Sequence, residues 1–199
     1  RDDSSLESYA RHDLIMIGLW SLGLKLDGEP KGLATGFTDE SVGAAKKKLT
    51  KLRSLNPDAI ILADLLFYEY PDKWLPEDHP WWLRKDGRRL QFWPGTHRMD
   101  WSQPDYQKKM VELTAALQRV GVDGVFYDKL REEPKAWTTY LSALSKVVGD
   151  DFLILANSGY SVGRHDFAAP FLNGIMYESG WSHGRTEWDE LIKKLQHTE

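Results

Sequence analysis

Short apolar runs alternate along this chain with longer segments in which apolar residues recur every three or four positions. The runs predict five strands, at residues 13–20, 59–67, 121–128, 152–157 and 174–178. The longer segments predict helices that begin at Ser4, Asp39, Pro104, Pro134 and Thr186. Strands that alternate with helices are typical of a parallel sheet with helices packed outside it.

The number and spacing of these units predict an α/β fold of the (β/α)₈ TIM-type barrel, with about five βα units in this chain. Closed barrels of this kind need about 250 residues, with roughly 200 as a lower limit, and the chain has 199. We therefore expect one strand before residue 1 and two after residue 199. A doubly wound open sheet of five strands is the alternative, although no glycine-rich nucleotide fingerprint accompanies it.

A long segment at about 67–103 separates the second predicted strand from the next helix. It is rich in tryptophan, proline and charge, and the sequence KDGR at 85–88 predicts a hairpin turn within it. Long excursions inside a compact domain are usually functional. We predict a single domain over residues 1–199 that carries this segment as an insertion.

Composition limits the classes of function. A net charge of −4 argues against a nucleic-acid partner, and no apolar run reaches the roughly 18 residues of a membrane span. The absence of cysteine excludes a disulfide or cysteine-zinc framework, and fits either the cytoplasm or a bacterial exterior. The six histidines lack metal-ligand spacing, so we expect no metal and no cofactor. The oligomeric state stays open.

Two carboxylates stand where predicted strands end. GVDGVFYD at 121–128 finishes on Asp128, and GIMYE at 174–178 finishes on Glu178. The carboxyl ends of parallel strands share one edge, where sites are built in alternating β/α folds, so the two acids are predicted to face each other as an acid/base or nucleophile pair. Alternatively, they form structural ion pairs, for example Asp128 with Lys129 or Arg131. Asp123 lies in the small-residue turn that begins the 121–128 run and is predicted to be a turn residue at the opposite end of the strand.

One passage resembles a known family. MDWSQPD at 99–105, a helix and then residues 121–128 resemble the D-x-x-x-P, helix, G-x-D-G-x-x-x-D passage of (β/α)₈ glycosidases. The spacing of the acids is most similar to glycoside hydrolase family 114, the endo-α-1,4-polygalactosaminidases, spherulin-4-like proteins and Pel hydrolase domains. The chain departs from that family in its Trp-rich segment and in Lys129, which follows Asp128 directly.

The resemblance implies a glycoside hydrolase that cleaves a polysaccharide, such as an α-1,4-linked galactosamine polymer, outside the bacterial cell or on its surface, with the signal not visible in this chain. It maps the catalytic pair onto Asp128 and Glu178, and gives Asn157 of the Asn-x-Gly sequence a substrate-lining role. We assign Asp128 as nucleophile and Glu178 as acid/base, because Tyr177, Met176 and Trp181 offer Glu178 an apolar setting, and we expect retention of configuration.

Sugars present apolar faces and hydroxyl edges, which suit aromatic platforms beside polar groups. The substrate-binding candidates fall at strand ends or in the following loops: Trp20, Asp64, Tyr68, Glu69, Trp93, His97, Arg98, Asp100, Tyr127, Asn157, Tyr177 and Trp181. Core packing is the alternative for the aromatic residues, and a satisfied structural carboxylate is the alternative for Asp64 and Glu69. Trp137 and Trp188 recur with helical apolar residues and are predicted to be core.

Two other functions fit the same residues. A sugar-binding barrel without turnover would use the same aromatic side chains, and a structural fragment would take its missing strands from a partner. Oligosaccharide binding without release of reducing ends would indicate the binding module.

Overall fold

The computed structural model describes residues 5–130, 134–159 and 167–176. The α-helices in this part of the chain are α1 (Leu6–Tyr9), α2 (Leu19–Leu22), α3 (Asp39–Leu55), α4 (Pro104–Val120) and α5 (Pro134–Val148). The strands are β1 (Leu14–Gly18), β2 (Ile60–Asp64), β3 (Glu69–Pro71), β4 (Arg84–Lys85), β5 (Arg88–Arg89), β6 (Thr96–Arg98), β7 (Gly124–Tyr127), β8 (Leu153–Asn157) and β9 (Gly174–Met176). Short 3₁₀ turns cover Lys31–Leu33, Asp72–Trp74 and Ala169–Phe171.

Five strands form one parallel sheet in the order β1-β2-β7-β8-β9. Its register places Gly18 beside Asp64, Asp64 beside Phe126, and Phe126 beside Leu155. All five carboxyl ends therefore lie along the same edge. The predicted parallel sheet is confirmed, with β7 and β9 separated by one strand.

Alternate strand residues face opposite sides of the sheet, and the two sides differ in burial. On the side that joins the main core, Ile15, Ile17 and Ile61 are almost fully buried. On the other side, Leu14 and Met16 are 50% and 43% exposed to solvent. The first side is the helix-covered outside of the sheet, and the second is its inner face.

The helices cover the outer side with the apolar faces that their periodicity predicts. The side chains so buried are Ala45, Leu49 and Leu52 of α3, Tyr106, Met110, Leu113, Leu117 and Val120 of α4, and Trp137, Leu141, Leu144 and Val148 of α5. Trp137 stacks on Trp101 with ring centroids 4.8 Å apart. The prediction that Trp137 belongs to the core is confirmed, whereas Trp188 lies outside the described residues.

Several element boundaries differ from the predictions. The first strand ends at Gly18 instead of Trp20, because the chain turns there into α2, which Gly23 ends with a φ of 84°. The cap of α1 is Ser5, whose hydroxyl accepts from the Ser8 N–H, so the predicted cap at Ser4 is wrong by one residue. β7 begins only at Gly124 because the preceding residues close the end of α4.

Asp123 has the structural role predicted for it. Its Oδ1 accepts from Arg53 at 2.7 Å, and its Oδ2 accepts from the Ile61 N–H at 2.8 Å. The carboxylate thus ties α3 and β2 together at the amino end of the sheet, opposite to Asp128.

The segment between β2 and α4 contains two small antiparallel pairs, β3 with β6 and β4 with β5. Asp86 and Gly87, at the tip of the second pair, both have positive φ, 52° and 76°. Two successive positive φ angles are the signature of a type I′ hairpin turn. The predicted hairpin is therefore confirmed.

Gly124 allows β7 to approach β8 closely. A Cβ atom there would lie 2.2 Å from the Leu153 carbonyl oxygen and 2.7 Å from Leu62 Cδ2. We predict that Gly124→Ala lowers the free energy of unfolding by about 1–3 kcal/mol, because backbone and core must both shift. Urea denaturation would measure this change.

The matched control is Gly43→Ala in α3, where a Cβ atom meets nothing within 4 Å. There the better helix propensity of alanine should raise the stability by about 0.5–1 kcal/mol. Equal stabilities for Gly124→Ala and the wild-type protein would contradict the close strand contact.

Candidate functional site

The carboxyl edge of the sheet collects polar side chains from three neighbouring strands. Asp64 is the last residue of β2, Asp128 directly follows β7, and Asn157 is the last residue of β8. Because these strands are adjacent and parallel, the three side chains converge at one edge.

Asp128 is held in place by Asn157. Its Oδ1 accepts a 2.8 Å hydrogen bond from Asn157 Nδ2, while Asn157 Oδ1 accepts from the Gly159 N–H at 2.8 Å. The side chain of Asp128 is 45% exposed, whereas Asn157 is only 1% exposed. A rigid buried amide therefore orients a carboxylate that a ligand can still reach.

Lys129 supplies the positive charge of the site. Its Nζ lies 3.3 Å from Asp128 Oδ2 and 3.6 Å from Oε1 of Glu69 at the start of β3. The sequence alternative of an Asp128–Lys129 ion pair is thus present in the structure. Lys129 was not among the predicted site residues, although its position directly after a strand-end aspartate was the available signal.

An aromatic row borders this charged group. Lys129 Nζ lies 4.2 Å from the ring centroid of Phe92 and 5.8 Å from that of Trp93. The Phe92 ring also contacts Tyr68 and Trp93, at centroid distances of 5.3 and 5.1 Å. Tyr68 is buried, while Trp93 is 58% exposed and could offer its face to a ligand. Phe92 was not predicted as a site residue.

The pKa of the Asp64 carboxyl group is raised above its ordinary value. The surrounding protein partly desolvates its carboxyl group, and the nearby charge of Asp128 adds to this, so that its pKa is raised although Lys129 acts in the opposite direction. The side chain nevertheless remains accessible to solvent. Desolvation and a neighbouring carboxylate are two of the effects by which proteins adjust the pKa of an acid/base residue.

Tyr127 does not belong to this edge, and its predicted contact with substrate is corrected. It is fully buried on the outer side of the sheet, where its hydroxyl group bonds to Tyr140 and to Thr114 Oγ1. Strand residues alternate sides, so the residue before Asp128 faces the helices. Burial raises its pKa well above the ordinary value, as expected for a core phenol.

Two further candidates have contacts of their own with residues outside the Asp128 cluster. His97 Nδ1 pairs with Asp72, and its ring contacts Trp82. Asp100 accepts from the backbone and hydroxyl of Ser102 and from Gln103 Nε2. Desolvation alone would raise the pKa of Asp100, but these hydrogen bonds together lower it. His97 and Asp100 therefore have structural partners, and their predicted contact with substrate stays a prediction.

Trp20 and Arg98, two further substrate-binding candidates, each contact an aromatic ring. Trp20, in α2, is 63% exposed and packs edge-on against Trp74 at 6.1 Å. Arg98 lies next to Glu69 across the β3–β6 pair, and its guanidinium group is 4.7 Å from the Tyr68 ring centroid. Arg98 is thus connected to the aromatic row through Tyr68.

Tyr177, Glu178 and Trp181 lie outside the described residues, so their predicted roles stay predictions. β9 ends at Met176, which pairs in register with Asn157. In the part of the chain that the structure describes, no cluster of three or more His, Cys, Asp or Glu side chains could hold a metal ion. Nor does any helix there have the length and apolar character that a membrane span requires.

No family model matches the sequence, and no curated protein is similar to it. Solved structures do match. The glycoside hydrolase domain of PelA from Pseudomonas aeruginosa is 17% identical with a TM-score of 0.60, over 96% of this chain and 74% of that one. The debranching enzyme of Nostoc punctiforme, soaked with acarbose, is 12% identical with a TM-score of 0.62, over 96% of this chain and 51% of that one.

An α-amylase from Lactobacillus plantarum is 15% identical with a TM-score of 0.56, over 81% of this chain and 42% of that one. These sequence identities are too low to assign an activity to the chain, so the structural matches show its fold alone. Together with the parallel sheet, they confirm the predicted TIM-type barrel fold, of which the described residues form five strands.

Asp64 generates a prediction about stability and pH. An unfolded aspartate has a pKa of about 3.9, and the folded value is higher. As the pH rises between these two pKa values, Asp64 ionises in the unfolded state before it ionises in the folded state. Ionisation of Asp64 therefore lowers the stability of the folded state at a pH above both pKa values and has no effect at a pH below both. Asp64→Asn should therefore raise the melting temperature at about pH 7 but not at about pH 3.

Thermal unfolding at both pH values would measure the effect. Asp58→Asn is the control, because Asp58 is exposed at the amino end of β2, away from the cluster. A melting temperature for Asp64→Asn at or below the wild-type value near neutral pH would contradict the prediction.

Asn157 generates a second prediction. Asn157→Ala should lower the free energy of unfolding by about 1–3 kcal/mol, because the Gly159 N–H loses its acceptor and a buried volume is left empty. Asn157→Asp conserves the volume and that acceptor but places a carboxylate 2.8 Å from Asp128, so it should be at least as harmful near neutral pH. Urea denaturation would rank the two variants, and a neutral effect of both would contradict the orienting role.

Proposed function

We propose that this protein is a glycoside hydrolase that cleaves a polysaccharide at the carboxyl edge of its parallel strands. The observation that carries the proposal is Asp128, a solvent-accessible carboxylate that a buried amide orients, and whose partner Lys129 lies 5.8 Å from the ring centroid of the exposed Trp93. In barrels of this kind the active site is built at that edge. The barrel fold shared with known glycoside hydrolases supports the same conclusion.

Glycoside hydrolysis needs two carboxyl groups, one to protonate the leaving oxygen and one to attack or stabilise the anomeric carbon. We assign Asp128 as the nucleophile and Glu178 as the acid/base. The sheet order supports the pairing, because β9 lies two strands from β7 and Glu178 is two residues beyond the end of β9. A retaining mechanism requires about 5–5.5 Å between the two groups.

The charges at this edge favour an amino-sugar polymer. Among the residues that the structure describes, the carboxylates of Glu69 and Asp128 lie 3.6 and 3.3 Å from the one ammonium group of Lys129. Such a surplus of acids would attract a cationic sugar, and the Phe92 and Trp93 rings could stack on its apolar face. This agrees with the proposed likeness to glycoside hydrolase family 114 and α-1,4-linked galactosamine. A polymer of this kind also fits a secreted or cell-surface enzyme.

The direct test is the release of reducing ends from partly deacetylated polygalactosamine and from α-glucans. Asp128→Asn and Glu178→Gln should each lower kcat/KM by roughly 10²–10⁴-fold, because each removes a carboxyl group that acts in the transition state. Asp58→Asn, at the other end of the sheet, should keep the wild-type rate. A wild-type rate for Asp128→Asn or for Glu178→Gln would refute the assignment of these two residues as the catalytic pair.

One observation favours a second function. Both oxygens of Asp128 already have partners, Asn157 and Lys129, as expected for a structural ion pair. A sugar-binding barrel without turnover would need only the exposed Trp93 and the neighbouring polar groups. Calorimetric titration with galactosamine oligosaccharides distinguishes the two, since saturable binding without reducing-end release would favour the binding protein.

A further inference from the structure

The backbone of Lys129 has an unusual conformation. Within the described residues, Asp86 and Lys129 are the non-glycine positions with positive φ, at 52° and 70°. Asp86 is explained by the tip of the β4–β5 hairpin. Lysine has no short polar side chain that would stabilise a left-handed conformation through local hydrogen bonds. Such an outlier motivates a search for a functional constraint.

The surrounding backbone fixes that conformation. β7 remains paired with β8 up to Tyr127 and Ala156, and the Leu130 N–H donates to the Asn157 carbonyl at 2.6 Å. The chain must therefore leave β7 and return to the end of β8 within three residues. The left-handed turn at Lys129 closes this distance and directs its side chain toward β3 and the β5–β6 loop.

The ammonium group of Lys129 is shared between separate parts of the fold. It lies 3.3 Å from Asp128 Oδ2, 3.6 Å from Glu69 Oε1 and 4.2 Å from the Phe92 ring centroid. Its side chain is 21% exposed, so water screens these contacts only in part. Lys129 thus connects the end of β7 to the insertion that carries the exposed Trp93.

Asn157 and Lys129 together engage both carboxylate oxygens of Asp128. Asn157 Nδ2 donates to Oδ1 at 2.8 Å, and the ammonium group lies beside Oδ2. Two partners on opposite oxygens restrict rotation of the carboxylate plane. A carboxylate that attacks an anomeric carbon gains from such restriction, because its orientation is already that of the reaction.

We propose that Lys129 is a positioning residue, which orients the carboxyl group of Asp128 and aligns the Phe92–Trp93 edge of the insertion with it. This inference rests on the proposed glycosidase function for its kinetic consequence, but not for its structural one. Lys129 acts through Asp128, Glu69 and Phe92 and need not touch the sugar. The role is specific to this chain, since the lysine departs from the motif that the passage otherwise resembles.

Three variants separate this role from a merely structural one. Lys129→Gly removes the ammonium group and relieves the left-handed backbone, Lys129→Met keeps the stem without the charge, and Lys129→Arg keeps the charge. Lys146→Met is the matched control, because Lys146 is an exposed lysine of α5. We expect Lys129→Gly to melt at or above the wild-type temperature, since glycine adopts a positive φ without strain.

The kinetic readout is the division between kcat and KM. Lys129→Gly and Lys129→Met should each lose roughly 10-fold to 100-fold in kcat with a smaller change in KM, because the carboxylate is misaligned. Lys129→Arg should recover most of the rate, and Lys146→Met should equal wild type. Loss of activity only in parallel with loss of stability would overturn the positioning role.

A second readout does not depend on turnover. Lys129 lowers the pKa of Asp64 against the effects of desolvation and of Asp128. In carboxyl ¹³C NMR titrations, Lys129→Met should therefore raise the pKa of Asp64 and shift the Asp128 carboxyl resonance, whereas Lys129→Arg and Lys146→Met should not.

The two readouts keep the failures distinct. If the wild-type protein cleaves no glycan, the proposed function fails, while the NMR titration still decides whether Lys129 positions the acids. If the protein is active but Lys129→Met matches Lys146→Met in both kcat and carboxyl titration, the positioning role is overturned and the proposed function stands.

Discussion

The close approach of β7 to β8 is the constraint on which the site depends. No side chain fits at Gly124, since even a Cβ atom would overlap the Leu153 carbonyl oxygen, so β7 lies deep between its neighbours. All four β7 residues are buried, and the first solvent-accessible side chain after them is Asp128. The same approach brings the end of β8 within reach, which allows Asn157 to bond to the carboxylate. Close packing at the amino end of β7 thus helps to determine which side chains meet at its carboxyl end.

The insertion at 67–103 is part of this arrangement because α4 anchors it at its beginning. The Tyr106 hydroxyl group donates to the Phe67 carbonyl oxygen, and the buried Lys109 donates to the Tyr70 hydroxyl at 2.7 Å. These contacts hold the chain on both sides of Glu69. Buried polar groups that are satisfied in this way specify one geometry. The carboxylate of Glu69 can therefore face Lys129 from a segment that would otherwise be a long loop.

The sequence was sufficient to predict the parallel sheet and the strand-end position of Asp128, because apolar runs and motif spacing determine both. It was not sufficient for Lys129 or Phe92, because their contact depends on a left-handed turn and on a loop that lies 37 residues earlier in the sequence (129 − 92 = 37). Tyr127 is a different case. Successive residues of a strand point to opposite faces of the sheet, so Tyr127 must face away from Asp128. The prediction considered only that Tyr127 lies at the end of the strand and did not consider which face it occupies. The partners of Asp100 and His97 could not be predicted either, because residue spacing does not reveal local hydrogen bonds.

The inner face of the sheet explains why the acids at its edge differ. Below Asp64 this face carries Leu62, and beside Asp64 in register it carries Phe126, both buried. A carboxyl group at the rim of an apolar surface loses hydration when it ionises, and a second carboxyl group nearby adds repulsion. Asp64 bears this cost, as its raised pKa indicates, while Asp128 accepts a hydrogen bond from the amide of Asn157 and lies beside the ammonium group of Lys129. The two acids at this edge therefore differ in their environment, because they differ in the partners that the neighbouring strands supply.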